Sequence, residues 1–65
     1  MTHRITFISK YGAFQVGRVY GAPDRDSAAI WLTAKYPGSD IREVEAISEG
    51  AARLWGEHDL GQFNR

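Results

Sequence analysis

The chain has two prolines, Pro23 and Pro37, and they bracket a segment suited to one structure only, an α-helix. Pro23 is tolerated at or just outside a first helical turn, Asp24 offers a side-chain acceptor to the free amides, and Asp26 adds negative charge where the helix dipole favours it. At the far end Pro37-Gly38 stops the helix, because proline cannot continue the ladder and disfavours helical geometry at the preceding residue. The expected helix therefore runs from Arg25 to Tyr36. Everything before and after it must be organised around that one element.

The N-terminal third reads as a β-hairpin. Ile5, Phe7 and Ser9 alternate with Arg4, Thr6 and Ile8, and after Lys10-Tyr11-Gly12 a second β-rich run places Phe14 and Val16 two apart. Val19 then falls on the opposite parity. Either a β-bulge at Gly17 returns it to the face of Phe14 and Val16, or Val19 and Tyr20 occupy the two faces of a regular strand. After the helix, Asp40 to Ile47 reads as a third strand with Ile41, Val44 and Ile47 as candidate buried positions, although their spacing of three leaves a helical reading beside it. Ser48-Glu49-Gly50 reads as a turn. Ala51 to Trp55 is expected to be a fourth strand, with a short helix as the alternative, since Ala, Arg and Leu are good helix formers. Residues 56–65 read as a tail, either extended and pinned by Leu60 and Phe63 or frayed.

The order β-β-α-β, with the further strand at 51–55, implies an α+β fold: an antiparallel sheet with one helix packed on it in two layers. At 65 residues there is room for a single domain, with residues 1–55 as its folded core. A domain of this size hides only about 60% of the surface its unfolded chain exposes, so a deep catalytic cleft is not expected. With no cysteine there is neither a disulfide framework nor a thiolate metal site, and no apolar run approaches the length of a membrane span. These features point to a cytoplasmic chain.

The helix carries more apolar surface than one sheet can cover. With Ala28 at zero, Leu32, Tyr36 and Ala29 fall at about 40°, 80° and 100°, one broad stripe; Ile30, Ala34 and Trp31 fall at about 200°, 240° and 300°, almost opposite. The second stripe must meet the tail, through Phe63 or Leu60 on Trp31, or another molecule. Trp is enriched in binding hot spots, so Ile30, Trp31 and Ala34 are candidate protein-binding residues, and self-association would satisfy the same geometry.

Catalytic and metal motifs are absent. His3 and His58 lie far apart in sequence with no HxH or HExxH pattern, the serines sit at turns or a helix start, and the glycines form no phosphate-binding loop. Glu57-His58-Asp59 sets an imidazole between carboxylates, but neighbours in sequence seldom converge on one reacting atom, and a solvated polar turn explains them. No enzyme activity, cofactor or metal is expected. A nucleic-acid reading stands as an alternative, with Arg4, Lys10, Arg18 and Tyr20 sharing a hairpin face as basic side chains beside an aromatic.

The formal net charge is zero, yet it is unevenly spread. Residues 1–42 hold six basic and three acidic side chains, leaving +3, and residues 43–65 hold two basic and five acidic ones, leaving −3. Glu43, Glu45 and Glu49 would present an acidic surface suited to a basic partner, or else the solvated row of an amphipathic strand. Glu43, Glu45 and Trp55 join the candidate protein-binding residues.

The strand pair, then Ala22 before a capped helix that opens with Ser27-Ala28, then Ile41 and Val44 in a strand and Leu54-Trp55 beyond, resembles several small phage- and plasmid-encoded α+β proteins over residues 13–55. Some anti-CRISPR proteins are among them. The resemblance implies a non-enzymatic inhibitor that docks on a host nucleoprotein complex such as a CRISPR surveillance complex, by occupying a basic DNA-binding surface or locking a subunit. It carries over no residue role.

Overall fold

A computed structural model describes residues 1–63 of the chain. Its elements are β1 (Thr2–Ile8), β2 (Phe14–Tyr20), α1 (Arg25–Lys35), β3 (Asp40–Ile47) and β4 (His58–Gln62), an α+β arrangement of one helix and a four-stranded sheet ordered β3-β1-β2-β4. The helix forms where its boundaries dictate. Asp24 is extended and its carboxylate accepts from the Ser27 amide at 2.7 Å, while the Tyr36 amide donates to the Leu32 carbonyl at 2.8 Å and closes the last turn. No helix among the described residues is long and apolar enough to cross a membrane.

The sheet is mixed, not antiparallel as the sequence suggests. β1 pairs antiparallel with both β2 and β3, whereas β4 pairs parallel with β2. The expected strand at Ala51 to Trp55 does not form; those residues are irregular, and the fourth strand lies in the segment read as a tail. The reason is topological. β2, β3 and β4 all run the same way, so the chain must return along the sheet twice, and parallel strands need long crossover connections. α1 makes the first return, from β2 to β3, and residues 48–57 make the second, from β3 to β4. A strand at 51–55 would leave that connection too short.

Side-chain parity divides the sheet into two faces. The register His3↔Val19 and Ile5↔Gly17 sets His3, Ile5, Phe7 and Val19 on the face beneath the helix, where Ile5, Phe7, Val19, Ala22, Ala28, Leu32 and Leu60 form the buried cluster. The β1–β2 register runs unbroken through Gly17, so the bulge considered there is absent, and Val16 faces away from Val19. A register shift does occur in β3, between the partners of Thr6 and Phe7. It leaves Arg42 as an extra residue and keeps both Ile41 and Val44 against the core, which accounts for their three-residue spacing; Ile47, opposite Thr2, lies on the other face.

Gly17 is needed for packing. The β2–β4 register skips Leu60, whose side chain fills the space that a Cβ at Gly17 would occupy. Gly17→Ala is expected to force β4 away from β2 and to cost about 1–3 kcal/mol in urea unfolding, whereas Gly50→Ala, with no atom within 4 Å of the added carbon, leaves the midpoint unchanged.

Candidate functional site

The face turned away from the helix carries Arg4 and Arg18 directly opposite each other on adjacent strands. Like charges in this position repel. Their countercharge comes from the returning connection: the Glu57 carboxylate sits between them, Oε1 at 2.5 Å from Arg4 Nε and Oε2 at 2.7 Å from Arg18 Nη2. The Glu57 side chain is 0% accessible, against 12% for Arg4 and 4% for Arg18. The guanidinium groups also bind the backbone crossing above them. Arg18 donates to the Ala51 carbonyl at 3.2 Å, and Arg4 Nη2 donates to the Ala52 carbonyl at 2.9 Å. Carbonyls of an irregular segment laid over a sheet lack ladder partners, and these two arginines supply them. Residues 48–57 thus form a strap clamped to the sheet.

A second polar cluster anchors the strap's far end. Tyr20 donates to Asp59 Oδ1 at 2.8 Å, and Arg53 Nη2 lies 2.7 Å from the same carboxylate and 3.2 Å from the Tyr20 hydroxyl. Hydrogen bonds from Tyr20 and then Arg53 hold the Asp59 carboxyl below its ordinary pKa. Glu57 and Asp59 are therefore committed to separate ion pairs, and His58 between them is exposed on the opposite parity of β4. No group of three or more His, Asp or Glu side chains that could hold a metal occurs among the described residues.

The residues expected to bind nucleic acid are thereby placed in three settings. Arg4 and Arg18 are neutralised within the clamp, Tyr20 is bound by Asp59, and Lys10 lies apart in the β1–β2 turn, its ammonium 5.2 Å from the Tyr11 ring. The residues expected to bind protein divide between the two sides of the sheet. Ile30, Trp31 and Ala34 line a shallow groove of about 270 Å³ with Ser27 and Phe63 on the helix side. Ile30 is 68% exposed and Ala34 is exposed as well, whereas Trp31 is half-buried against the core, so of the second helical stripe only Trp31 is covered. Glu43 and Glu45 are exposed on β3, opposite Thr6 and Arg4 on the strap side, where Glu45 also pairs with Arg4 at 3.2 Å. Trp55, carried by the strap, is 101% exposed, and Leu54 beside it 50%.

The sequence reading of Glu57-His58-Asp59 as a solvated polar turn fails at Glu57, whose carboxylate is buried between two arginines, and neither Glu57, Asp59 nor Arg53 is a sequence candidate for the site. The signal available was the parity of Arg4 and Arg18, two cations on one hairpin face with the chain's negative charge concentrated after residue 42. Compared with protein-family models, with curated proteins and with solved structures, the chain finds no match.

Two titrations follow from this geometry. His3 is wholly buried beneath the helix with neither ring nitrogen hydrogen-bonded among the described residues. Burial, then the N-terminal ammonium, pushes its pKa down; Arg25 adds to this and Asp24 opposes it. An imidazole protonated more readily when unfolded contributes stability that is full above about pH 6.5 and declines as pH falls below it. For Glu57, burial is the largest influence and pushes upward, but the Arg4 hydrogen bond and the charges of Arg18 and Arg4 outweigh it and leave the carboxyl below its ordinary value. Its contribution is present above about pH 4.3 and is lost as pH falls through the lowered folded value. Urea midpoints measured from pH 8 to pH 3 are expected to fall in two limbs; His3→Phe flattens the upper one and Glu57→Gln the lower.

Proposed function

We propose that the chain is a non-enzymatic protein-binding module that presents Trp55 on a rigid strap to a partner. The observation that carries this reading is the full exposure of Trp55 beside half-exposed Leu54 on a segment clamped from beneath by Arg4 and Arg18. An exposed indole adds nothing to the core and is a solubility liability, yet Trp is the residue type most enriched among binding hot spots. A clamped segment also loses less conformational freedom on docking than a floppy loop does. Glu43 and Glu45 share that side of the sheet and Glu49 lies in the strap's first turn, so the anchor has an acidic surround that favours a basic partner surface.

An aromatic anchor with an acidic rim suits a nucleic-acid-binding protein more than nucleic acid itself. Together with the resemblance to anti-CRISPR proteins, this supports a phage-encoded inhibitor acting in the host cytoplasm on a nucleoprotein complex such as a CRISPR surveillance complex. The test is phage plating on hosts with active CRISPR immunity of defined types, with the chain expressed. Restored plaquing that is lost in Trp55→Ala and weakened in Glu43→Lys, both with unchanged urea midpoints, is the expected result. Absence of rescue in every type, or rescue indifferent to Trp55, overturns the reading.

A further inference from the structure

A larger concavity lies on the helix side of the sheet, where the β1–β2 turn meets the turn that follows α1. It is an open hollow of about 420 Å³, within the usual range for small-molecule sites, and its lining includes Phe7, Gln15, Lys10, Tyr11, Lys35 and Tyr36. No acidic residue lines it.

The backbone of both turns is held in place by side-chain hydrogen bonds. Ser9 Oγ accepts from the Tyr11 amide at 3.3 Å and the Ala13 amide at 3.2 Å, which sets the first turn, and Ser39 Oγ donates to the Tyr36 carbonyl at 2.7 Å, which sets the second. The turns also touch each other. Gly38 has a positive φ of 86°, and a Cβ built there would come 2.7 Å from the Cβ of Lys10. Such preorganisation lowers the entropy lost on binding.

Charge and shape then select the occupant. Neither Lys10 nor Lys35 has a carboxylate within 4.0 Å among the described residues, since the ion pairs there use other groups. Lys35 donates to the Leu60 carbonyl at 2.9 Å and offsets the negative end of the helix dipole, which leaves Lys10 as the uncompensated cation. The Lys10 ammonium lies 5.2 Å from the Tyr11 ring, so positive charge adjoins a flat apolar wall, while the Lys35 ammonium is nearer Trp31, at 4.8 Å, than Tyr36, at 5.9 Å. We propose that this hollow binds a small planar aromatic anion, its ring against Tyr11 and Tyr36 over Phe7 and its phosphate or carboxylate at Lys10. The site is on the opposite side of the sheet from Trp55 and stands or falls independently of docking there.

Amide NMR titration of the intact chain tests it, with adenosine monophosphate and phenylacetate as ring-plus-anion probes and adenosine and inorganic phosphate as the separate halves. A ring-plus-anion probe should shift the Lys10, Tyr11, Tyr36 and Ser39 amides saturably, with either half at least tenfold weaker. Tighter binding of the nucleotide assigns the anion as phosphate, and of phenylacetate as carboxylate. Lys10→Met, at an exposed turn, should weaken binding at least threefold with spectral dispersion unchanged. No saturable shift with either complete probe, adenosine binding as well as its monophosphate, or Lys10→Met binding like the parent chain would overturn the proposal.

Discussion

The buried Glu57 carboxylate between Arg4 and Arg18 is the contact on which the unhelical half of the molecule depends. Three of the four strands run in one direction, so the chain must cross the sheet twice. The helix makes one crossing with its backbone already hydrogen-bonded. The strap makes the other with carbonyls that need outside donors, and Arg4 and Arg18 provide them to Ala51 and Ala52. Those arginines stand opposite each other with their side chains withdrawn from water, an arrangement that is unfavourable without an anion between them. Glu57 therefore allows the arginines to be buried, and the buried arginines hold the strap. β4 begins at the next residue, and its Leu60 completes the core over Gly17.

This organisation also decides which surfaces remain for other molecules. The basic residues of the hairpin face, which in sequence look available to phosphates, are consumed in holding the strap. What the strap offers outward is Trp55 and Leu54, and the edge strand beside it offers Glu43 and Glu45. On the helix side β4 and Phe63 lie beside Trp31, which is packed against the core, so Trp31 alone of the second helical stripe serves the fold, while Ile30 and Ala34 stay in water.

The legible parts of the sequence are those governed by local chemistry. Asp24 and Pro37 bound the helix because capping and the proline ring act within a few residues, and the hairpin follows from alternation on either side of Gly12. The extent of β3 is legible too, but its three-residue apolar spacing has its cause in the bulge at Arg42, which no local pattern marks. The fourth strand is not legible because His58-Asp59-Leu60-Gly61-Gln62 contains almost no strong strand formers, whereas Ala51 to Trp55 has the apolar content. Strand pairing there is imposed by tertiary contacts: Leu60 into the gap at Gly17, and Asp59 to Tyr20 and Arg53. The Arg4–Glu57–Arg18 clamp joins residues 53 and 39 positions apart, beyond the reach of any local pattern.

A double-mutant cycle on Arg18 and Glu57, read by urea unfolding with an excluded osmolyte to keep the variants folded, measures the clamp most directly. If the strap is held as described, Arg18→Met and Glu57→Leu each cost about 3–5 kcal/mol, because the first leaves the buried Glu57 with Arg4 alone and the second leaves both arginines without their anion. The double variant then costs much less than their sum. Single costs below about 1 kcal/mol that simply add, as for an exposed surface pair, would contradict the account.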